Sequence, residues 1–381
     1  MEVTKTFFPQ ALTFNDILLL PNYSDFDRSE INLSTNLTKK IKLKIPLISS
    51  PMDTVTESGV AIELARIGGI GIIHRNLSVE AQVKEILKVK KHKLLVGAAV
   101  GSSQGFEQRV QALYKNGVDV ILIDSAHGFS KTVITTLKYI KKTYPKLEVI
   151  AGSIATYAAA EKLIEAGADA LRVGMGPGAI CTTRIISGMG VPQVTALIEV
   201  AKIAKKKNIP VIADGGISYS GDMVKALALG ASTVMMGSFF ASTMESPGKK
   251  ITLSANQVPA RFKSIFNGTK KFVFKEYRGM GSMGAMKSGA QAKSEDEFHG
   301  KNYKDRVLVA EGVEGFVPIK GTLHEVAEQA IGGIKSGMYY TGAKSIPNLW
   351  EKARFIQITQ ASLAESHPHD ILVTNPGKNY E

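Results

Sequence analysis

Short apolar runs recur along the chain, and stretches with the apolar periodicity of helices lie between them. The runs cover residues 46–50, 69–74, 94–100, 119–124, 147–152, 170–174, 209–214 and 232–237. The helical stretches include residues 79–89, 106–115, 132–142, 157–166, 194–206 and 221–229. Strands rich in Val, Ile, Leu and Ala that alternate with helices are typical of a parallel sheet covered by helices. Eight such units predict an α/β protein, a closed (β/α)8 barrel.

Two further segments follow the eighth unit. Residues 245–321 are rich in Gly, Lys, Ser and Met and contain only short apolar runs. A loop-rich excursion of this length in a compact domain is typical of a lid, a binding loop or a disordered segment. Residues 323–338 have helical periodicity, and a polar tail follows them. We therefore predict a single domain over residues 1–381, with a flap at residues 245–321 and a C-terminal helix and tail.

Composition and charge narrow the classes of protein. The chain is 44% hydrophobic and 21% charged, which is typical of a soluble globular protein. The net charge of +13 favours anionic partners, but the lysine clusters at residues 39–44 and 205–207 lack the interleaved aromatics that single-stranded nucleic acid requires. A single cysteine agrees with a reducing compartment, and we find no secretory pattern or membrane-spanning apolar run. These features predict a cytoplasmic protein that binds neither nucleic acid nor membrane.

The single cysteine lies in a glycine-rich loop. Residues 170–173 form a predicted strand that runs into the loop at residues 174–184, and Cys181 lies within it. Active sites of barrels lie at this end of the strands. Thr183 and Arg184 place a hydroxyl and a positive charge beside the thiol, and a nearby cation favours the reactive thiolate. Two interpretations stay open here: a catalytic nucleophile, or a small buried hydrophobic side chain, as most free cysteines are.

Polar residues also follow other predicted strands. They are Ser49, Ser50 and Asp53, then His74, then residues 124–127, then residues 214–216. For any one of them alone, a cap of the following helix is the better explanation. Their convergence on one rim with Cys181 favours a functional site. His367 and His369 in the tail are a weak zinc candidate, because a third ligand of the usual type is not nearby.

Five motifs resemble the IMP dehydrogenase and GMP reductase family of purine-nucleotide barrels. They are Ser49–Glu57, Gly176–Arg184, Ala213–Ile217, Tyr277–Ser282 and Glu311–Gly315. The motifs occur in the family's order and extend over nearly the whole chain, so the resemblance is highly specific.

The resemblance implies a covalent mechanism. Cys181 would attack carbon 2 of the purine, and the adduct would form as a hydride leaves to a nicotinamide cofactor. Thr183 matches the family threonine that helps to activate water for hydrolysis of the adduct. Glu311 matches a carboxylate placed to relay the proton of that hydroxyl.

The resemblance also implies substrate positions. Asp214 matches the carboxylate that holds both ribose hydroxyls. The phosphate cradle is matched by Gly215, Gly216, Gly237 and Ser238. The segment that covers the phosphate and the base is matched by Tyr277, Gly279, Met280 and Gly281. Ser50 and Met52 match the residues beside the purine. Ala179 stands where the family has a serine that contacts the phosphate, so one hydrogen-bond donor is missing, typically worth about 1 kcal/mol.

Cofactor and metal positions follow on the same terms. Asp124 matches the residue that binds the nicotinamide ribose. The other cofactor positions are Ser125, Ser153, which replaces a usual asparagine, and Gly174, Met175 and Gly176. A potassium site would comprise the main chain of Gly176, Gly178 and Cys181, with Glu365, Ser366 and His367 contributed by a neighbouring subunit. This arrangement implies a homotetramer.

Two departures from the family leave the reaction open. Residues 90–93 join the second and third units directly, where many dehydrogenases insert paired regulatory CBS modules. The Arg-Tyr pair that activates water in dehydrogenases is not found between Met286 and Glu311, where Arg306 is the one arginine and Val307 follows it. Arg306 therefore stays a candidate for that task.

Three functions remain in order of preference. The first is oxidation of IMP to XMP with NAD, in guanine nucleotide biosynthesis, which the forms of the motifs at residues 277–282, 311–315 and 365–370 favour. The second is reduction of GMP to IMP and ammonia with NADPH, which needs no flap pair. The third is a non-catalytic nucleotide-binding protein, suggested by Ala179 and Ser153. Retention of the thiol argues against this third function, because binding alone does not need it.

Overall fold

The computed structural model describes residues 8–259, 262, 272–292, 309–371 and 373–374. Its strands are β1 Ile17–Leu19, β2 Thr35–Asn36, β3 Lys42–Leu43, β4 Leu47–Ser49, β5 Ile70–Ile73, β6 Gly97–Val100, β7 Val120–Asp124, β8 Glu148–Ile154, β9 Ala170–Val173, β10 Val211–Asp214, β11 Thr233–Met236, β12 Lys250–Leu253, β13 Phe272–Arg278, β14 Glu314–Pro318 and β15 Phe355–Gln357. Its α-helices are α1 Ser58–Arg66, α2 Val79–Lys90, α3 Phe106–Lys115, α4 Lys131–Thr143, α5 Tyr157–Glu165, α6 Thr183–Ile186, α7 Gln193–Lys206, α8 Ser220–Ala228, α9 Ser238–Ala241, α10 Met283–Gln291, α11 Leu323–Tyr340, α12 Ile346–Lys352 and α13 Gln360–Glu365.

Strands β4 to β11 form a closed parallel barrel. They follow the chain order around it, and β11 pairs with β4 to close the ring, with Met236 opposite Ser49. Each of the eight predicted strands corresponds to one strand of the barrel. The predicted (β/α)8 barrel is therefore confirmed.

Both faces of the barrel strands are buried, which explains their nearly continuous apolar sequences. Val120 and Leu122 of β7 point into the barrel interior, whereas Ile121 and Ile123 point toward the helices. This alternation follows from the two-residue period of a strand. The β2–β3 hairpin adds Leu43 to the interior cluster, so it covers the amino end of the barrel.

Several helices begin where a side chain satisfies a free main-chain N–H group. Ser78 accepts a hydrogen bond from Ala81 N–H at the start of α2, and Thr156 accepts one from Ala159 N–H at the start of α5. After Lys90 the chain reaches β6 within a few residues, so the second and third units are joined directly. Within the described residues, no helix is long and apolar enough to cross a membrane.

The excursion after β11 contains more regular structure than the sequence predicted. Strands β12, β13 and β14 form an antiparallel sheet, and α10 follows β13. Phe272 and Phe274 lie on the buried face of β13, on either side of the half-buried Val273, and form a small separate core with Val258. Charged residues such as Lys275 and Glu276 interrupt the apolar residues of β13, which is why apolar runs did not reveal this strand.

The excursion leaves and rejoins the barrel at one place. Thr243 and Gly321 form a bridge, and Met244 N–H donates to the Gly321 carbonyl at 2.9 Å. Helix α11 then packs against α8 and α1, so it is the helix of the eighth barrel unit. The predicted helix at residues 323–338 is confirmed and extends to Tyr340.

The tail is also more ordered than its polar sequence indicated. It contains α12, β15 and α13, and β15 pairs antiparallel with β1, with Phe355 opposite Leu19. The half-buried apolar residues of these elements pack on the outside of the barrel.

Candidate active site

A cavity of about 250 Å³ opens at the carboxyl end of the barrel. The ends of the barrel strands form its floor, and the end of β13, the turn after it and Glu311 cover it. The predicted site residues that line it are Ser50, Met52, Asp124, Ser125, Ser153, Gly174, Met175, Gly176, Gly178, Cys181, Thr183, Asp214, Gly215, Gly237, Tyr277, Gly279, Met280, Gly281 and Glu311. The structure thus brings together residues that are far apart in the chain.

Six predicted residues do not line this cavity. They are Ala179, Gly216, Ser238, Glu365, Ser366 and His367. Ala179 is exposed on the cysteine loop, because the loop turns its side chain outward. Gly216 and Ser238 each directly follow a lining residue in the chain. The tail residues lie near the start of α8, where the rings of His367 and Tyr219 are 6.2 Å apart.

Cys181, Thr183 and Glu311 form a connected set. The Cys181 thiol donates to Thr183 Oγ1 at 3.3 Å, and the Thr183 hydroxyl donates to Glu311 Oε2 at 2.8 Å. Thr182 N–H donates to the Glu311 carbonyl at 3.0 Å, which fixes the main chains of the two segments together. A proton on sulfur therefore has a path through a hydroxyl to a carboxylate.

Arg184 supports the loop rather than the thiol. Its guanidinium donates to the carbonyls of Val191 at 2.8 Å and Met175 at 3.3 Å. Its side chain packs directly over Gly176, where a Cβ would lie 2.6 Å from it. The sequence suggested that this charge activates the thiol, whereas the contacts indicate that it holds the loop in shape.

Alternating charges cross the floor of the cavity. Arg172 contacts Asp124 at 2.7 Å and Asp214 at 3.7 Å, and Arg75 lies 3.8 Å from Asp124. Burial raises the pKa of Asp214 to about 6; Arg172 opposes the rise and Asp124 adds to it. At neutral pH Asp214 is therefore mostly an ionised acceptor facing the cavity.

Tyr277 closes the cavity beside Gly237. A Cβ at Gly237 would lie 2.6 Å from the Tyr277 hydroxyl, so only glycine allows this approach. Burial, with the charge of Asp214, raises the pKa of Tyr277 well above its usual range. The phenol therefore keeps its proton and can act as a hydrogen-bond donor.

Comparison with known proteins identifies the architecture. A family model described as the IMP dehydrogenase / GMP reductase domain matches residues 11–369. The chain belongs to this family. Membership covers the barrel, the cysteine loop and the described part of the excursion.

Relatives in the IMP dehydrogenase / GMP reductase family match over nearly their full length. Proteins named inosine-5'-monophosphate dehydrogenase from Cryptosporidium parvum and Borreliella burgdorferi are 45% and 44% identical over 414 and 412 residues. The alignments cover 97% and 95% of this chain and 98% and 97% of the relatives. A protein of the same name from Aquifex aeolicus is 38% identical over 508 residues, covering 100% of this chain and 99% of that protein. Because 508 exceeds the 381 residues here, that relative has internal segments without a counterpart in this chain.

Two family features concern the flap and the metal. The segment in which the Arg-Tyr pair was sought, with Arg306 and Val307, lies outside the described residues for the most part, because residues 293–308 are not described. Among the residues that are described, no group of three His, Cys, Asp or Glu side chains is placed to hold a metal ion.

The structure adds residues that sequence reasoning missed. Arg75 and Asn76 line the cavity after β5, and Arg172 lies in its floor. Gln193 is fully buried, and its side-chain amide donates to the carbonyls of Val173 and Asp214, which holds the ends of β9 and β10 together. A charged residue inside an apolar strand, as at Arg172, was the available signal.

Gly174 gives a prediction about the floor. A Cβ at this position would overlap the carbonyl oxygen of Asp214. We expect Gly174→Ala to destabilise the protein by about 1–3 kcal/mol, because the ends of β9 and β10 must separate. Urea denaturation measures the effect. Gly221→Ala is the matched control, because a Cβ there meets open space in a helix; a Gly174→Ala variant as stable as this control would contradict the prediction.

Proposed function

We propose that this chain oxidises IMP to XMP with NAD and water through a covalent adduct at Cys181. The hydrogen-bonded set of Cys181, Thr183 and Glu311 in one cavity with Asp214 carries the proposal. The names of its relatives support the same reaction. The chain would act as one catalytic domain, with residues 245–321 as its flap.

The floor and the cover of the cavity would bind different parts of the nucleotide. Ionised Asp214 would accept hydrogen bonds from both ribose hydroxyls. Tyr277 would donate to the phosphate, beside the main-chain N–H groups near Gly215 and Gly237. Gly215 has a φ of +85°, a left-handed conformation that favours glycine and leaves its main chain uncovered by a side chain.

The first chemical step forms the adduct. The Cys181 sulfur attacks carbon 2 of IMP, a sulfur–carbon bond forms, and the hydrogen of carbon 2 leaves with its electron pair. A bound NAD would supply the acceptor for that hydride. The thiol proton is released to solvent before the attack, so the Thr183 and Glu311 pair is still available to take the proton of the second step.

The second step hydrolyses the adduct. Water attacks carbon 2, the carbon–sulfur bond breaks, and the sulfur leaves as a thiolate. Thr183 would take the proton of the water as its own hydroxyl proton passes to Glu311. The Thr183 hydroxyl can serve as a base only because a carboxylate lies 2.8 Å away.

Glu311 therefore gives a prediction that separates the two steps. We expect Glu311→Gln to keep a burst of one NADH per site and to lower the steady-state rate by about 10²–10⁴-fold, because hydrolysis loses its proton acceptor. Stopped-flow absorbance of NADH measures both phases. Glu314→Gln is a nearby control outside the cavity. Equal losses of burst and steady-state rate would contradict the assignment.

Potassium and a homotetramer belong to the same proposal. Main-chain oxygens of Gly176, Gly178 and Cys181 are hard donors of the kind that alkali cations accept, and tail residues 365–367 of a neighbouring subunit would complete the site. Light scattering, with and without potassium, tests both, and a monomer under both conditions would refute them. We also propose a cytoplasmic location.

One assay separates the three candidate reactions. Purified protein with IMP and NAD should generate NADH absorbance. A reductase would instead consume NADPH with GMP, and a pure binding protein would do neither. Formation of XMP, identified by chromatography, completes the test.

A further inference from the structure

Asp53 lies at the centre of a polar junction beneath the cover of the cavity. Its carboxylate accepts three hydrogen bonds from Nε and Nη2 of Arg278, with the shortest at 2.6 Å from Nη2, and one from Asn76 Nδ2 at 2.8 Å. Its N–H contacts the sulfur of Met280 at 3.4 Å. The side chain is only 7% exposed, so the charge is satisfied almost entirely by protein groups.

The junction ties four separate segments together. Arg278 ends β13, and its guanidinium also donates to Ser288 of α10 at 3.2 Å. Asn76 follows β5 and also donates to the carbonyl of Ala285 in α10 at 3.0 Å. The rim of the barrel is thus joined to both β13 and α10 through Asp53.

The neighbours of this junction line the cavity, although Asp53 and Arg278 do not. Met52 precedes Asp53 in the chain, and Tyr277 and Gly279 flank Arg278. Arg278 N–H also donates to Thr54 Oγ1 at 3.2 Å, so the cover is held to the rim by main chain as well as side chain. A shift of the ion pair must therefore move the lining of the cavity.

We propose that Asp53 is a positioning residue which, through Arg278, holds residues 277–281 over the nucleotide. The inference rests on the proposed function for its kinetic test. When the pair is intact, the cover occupies its binding position before the nucleotide arrives. When the pair is broken, part of the binding free energy is used to bring the cover into place. The apparent affinity for the nucleotide is then reduced in proportion to the fraction of molecules whose cover is already in its binding position.

The kinetic experiment uses Asp53→Asn and Arg278→Gln. We expect each to raise the KM for IMP by about tenfold or more and to change kcat by less than about threefold, because bound nucleotide restores the cover. The double variant should lie within about threefold of either single variant, because both remove the same interaction.

Asp119→Asn is the matched control. Asp119 pairs with Lys90 at 2.9 Å and also accepts from Val96 N–H, but it lies at the amino end of the barrel. It should lower thermal stability without changing the KM for IMP. If Asp53→Asn likewise lowers thermal stability and leaves the KM for IMP unchanged, Asp53 has only a structural role and the proposal is overturned.

Amide hydrogen exchange provides a test that needs no turnover. In the nucleotide-free protein, peptides covering residues 277–283 should exchange about tenfold faster or more in Asp53→Asn than in the wild type or in Asp119→Asn. This result in a protein without IMP oxidation would support the positioning role while refuting the proposed function. Unchanged exchange in an active protein would refute the positioning role alone.

Discussion

Replacement of Cys181 by alanine should abolish turnover and spare nucleotide binding. We expect kcat to fall by about 10⁴-fold or more, because the covalent route ends with the sulfur. The Kd for IMP should change by less than about threefold, because in the proposed function Asp214 and the phosphate cradle hold the nucleotide. NADH absorbance and isothermal titration calorimetry measure the two quantities.

Mass spectrometry makes the same prediction directly visible. Wild-type protein quenched during turnover should carry the mass of one nucleotide per chain, and Cys181→Ala should carry none. Since the chain has a single cysteine, a thiol reagent should also label one site only, with protection by IMP. Thr182→Ala is a neighbouring control that should retain activity. An adduct that persists in Cys181→Ala would exclude this cysteine as the nucleophile.

Replacement of Asp214 by asparagine should weaken binding and stabilise the empty protein. We expect the Kd for IMP to rise by about 10²-fold, because an ionised acceptor of two hydroxyls is lost. Asp124→Asn is the matched control, because Asp124 also pairs with Arg172. It should weaken the binding of NAD rather than the binding of IMP. An unchanged Kd for IMP in Asp214→Asn would remove this residue from the nucleotide site.

The stability effect has a defined dependence on pH. The pKa of Asp214 rises from an ordinary 3.8 to about 6 in the folded protein, so the folded state binds the proton more tightly than the unfolded state. Ionising it costs free energy that grows between about pH 4 and pH 6 and stays constant above. Asp214→Asn removes this cost, so its advantage over the wild type should reach up to about 3 kcal/mol above pH 6 and vanish below pH 4. Urea denaturation across this pH range provides the measurement.

The sequence predicted the barrel and most of its rim because both depend on local patterns. Runs such as residues 119–124 report burial on both faces, and residues at strand ends share one rim by the geometry of the fold. The strands of the excursion were missed because β13 is half-buried and carries Lys and Glu between its apolar residues.

Contacts between distant segments were beyond any local pattern. Asp53 and Arg278 are 225 positions apart, and each alone resembles an ordinary surface charge. The motifs at residues 49–57 and 277–282 suggested that both segments matter but not that these two side chains meet. Arg184 illustrates the opposite error, since adjacency to Cys181 in sequence suggested a role that its carbonyl contacts do not support.

The bridge between Thr243 and Gly321 has a consequence for how such enzymes diverge. The excursion leaves the barrel and returns to it at this bridge. Residues can therefore be gained or lost within the excursion without displacing β11 or α11. Evolutionary changes in the length of the excursion would alter the cover of the cavity and leave the barrel unchanged.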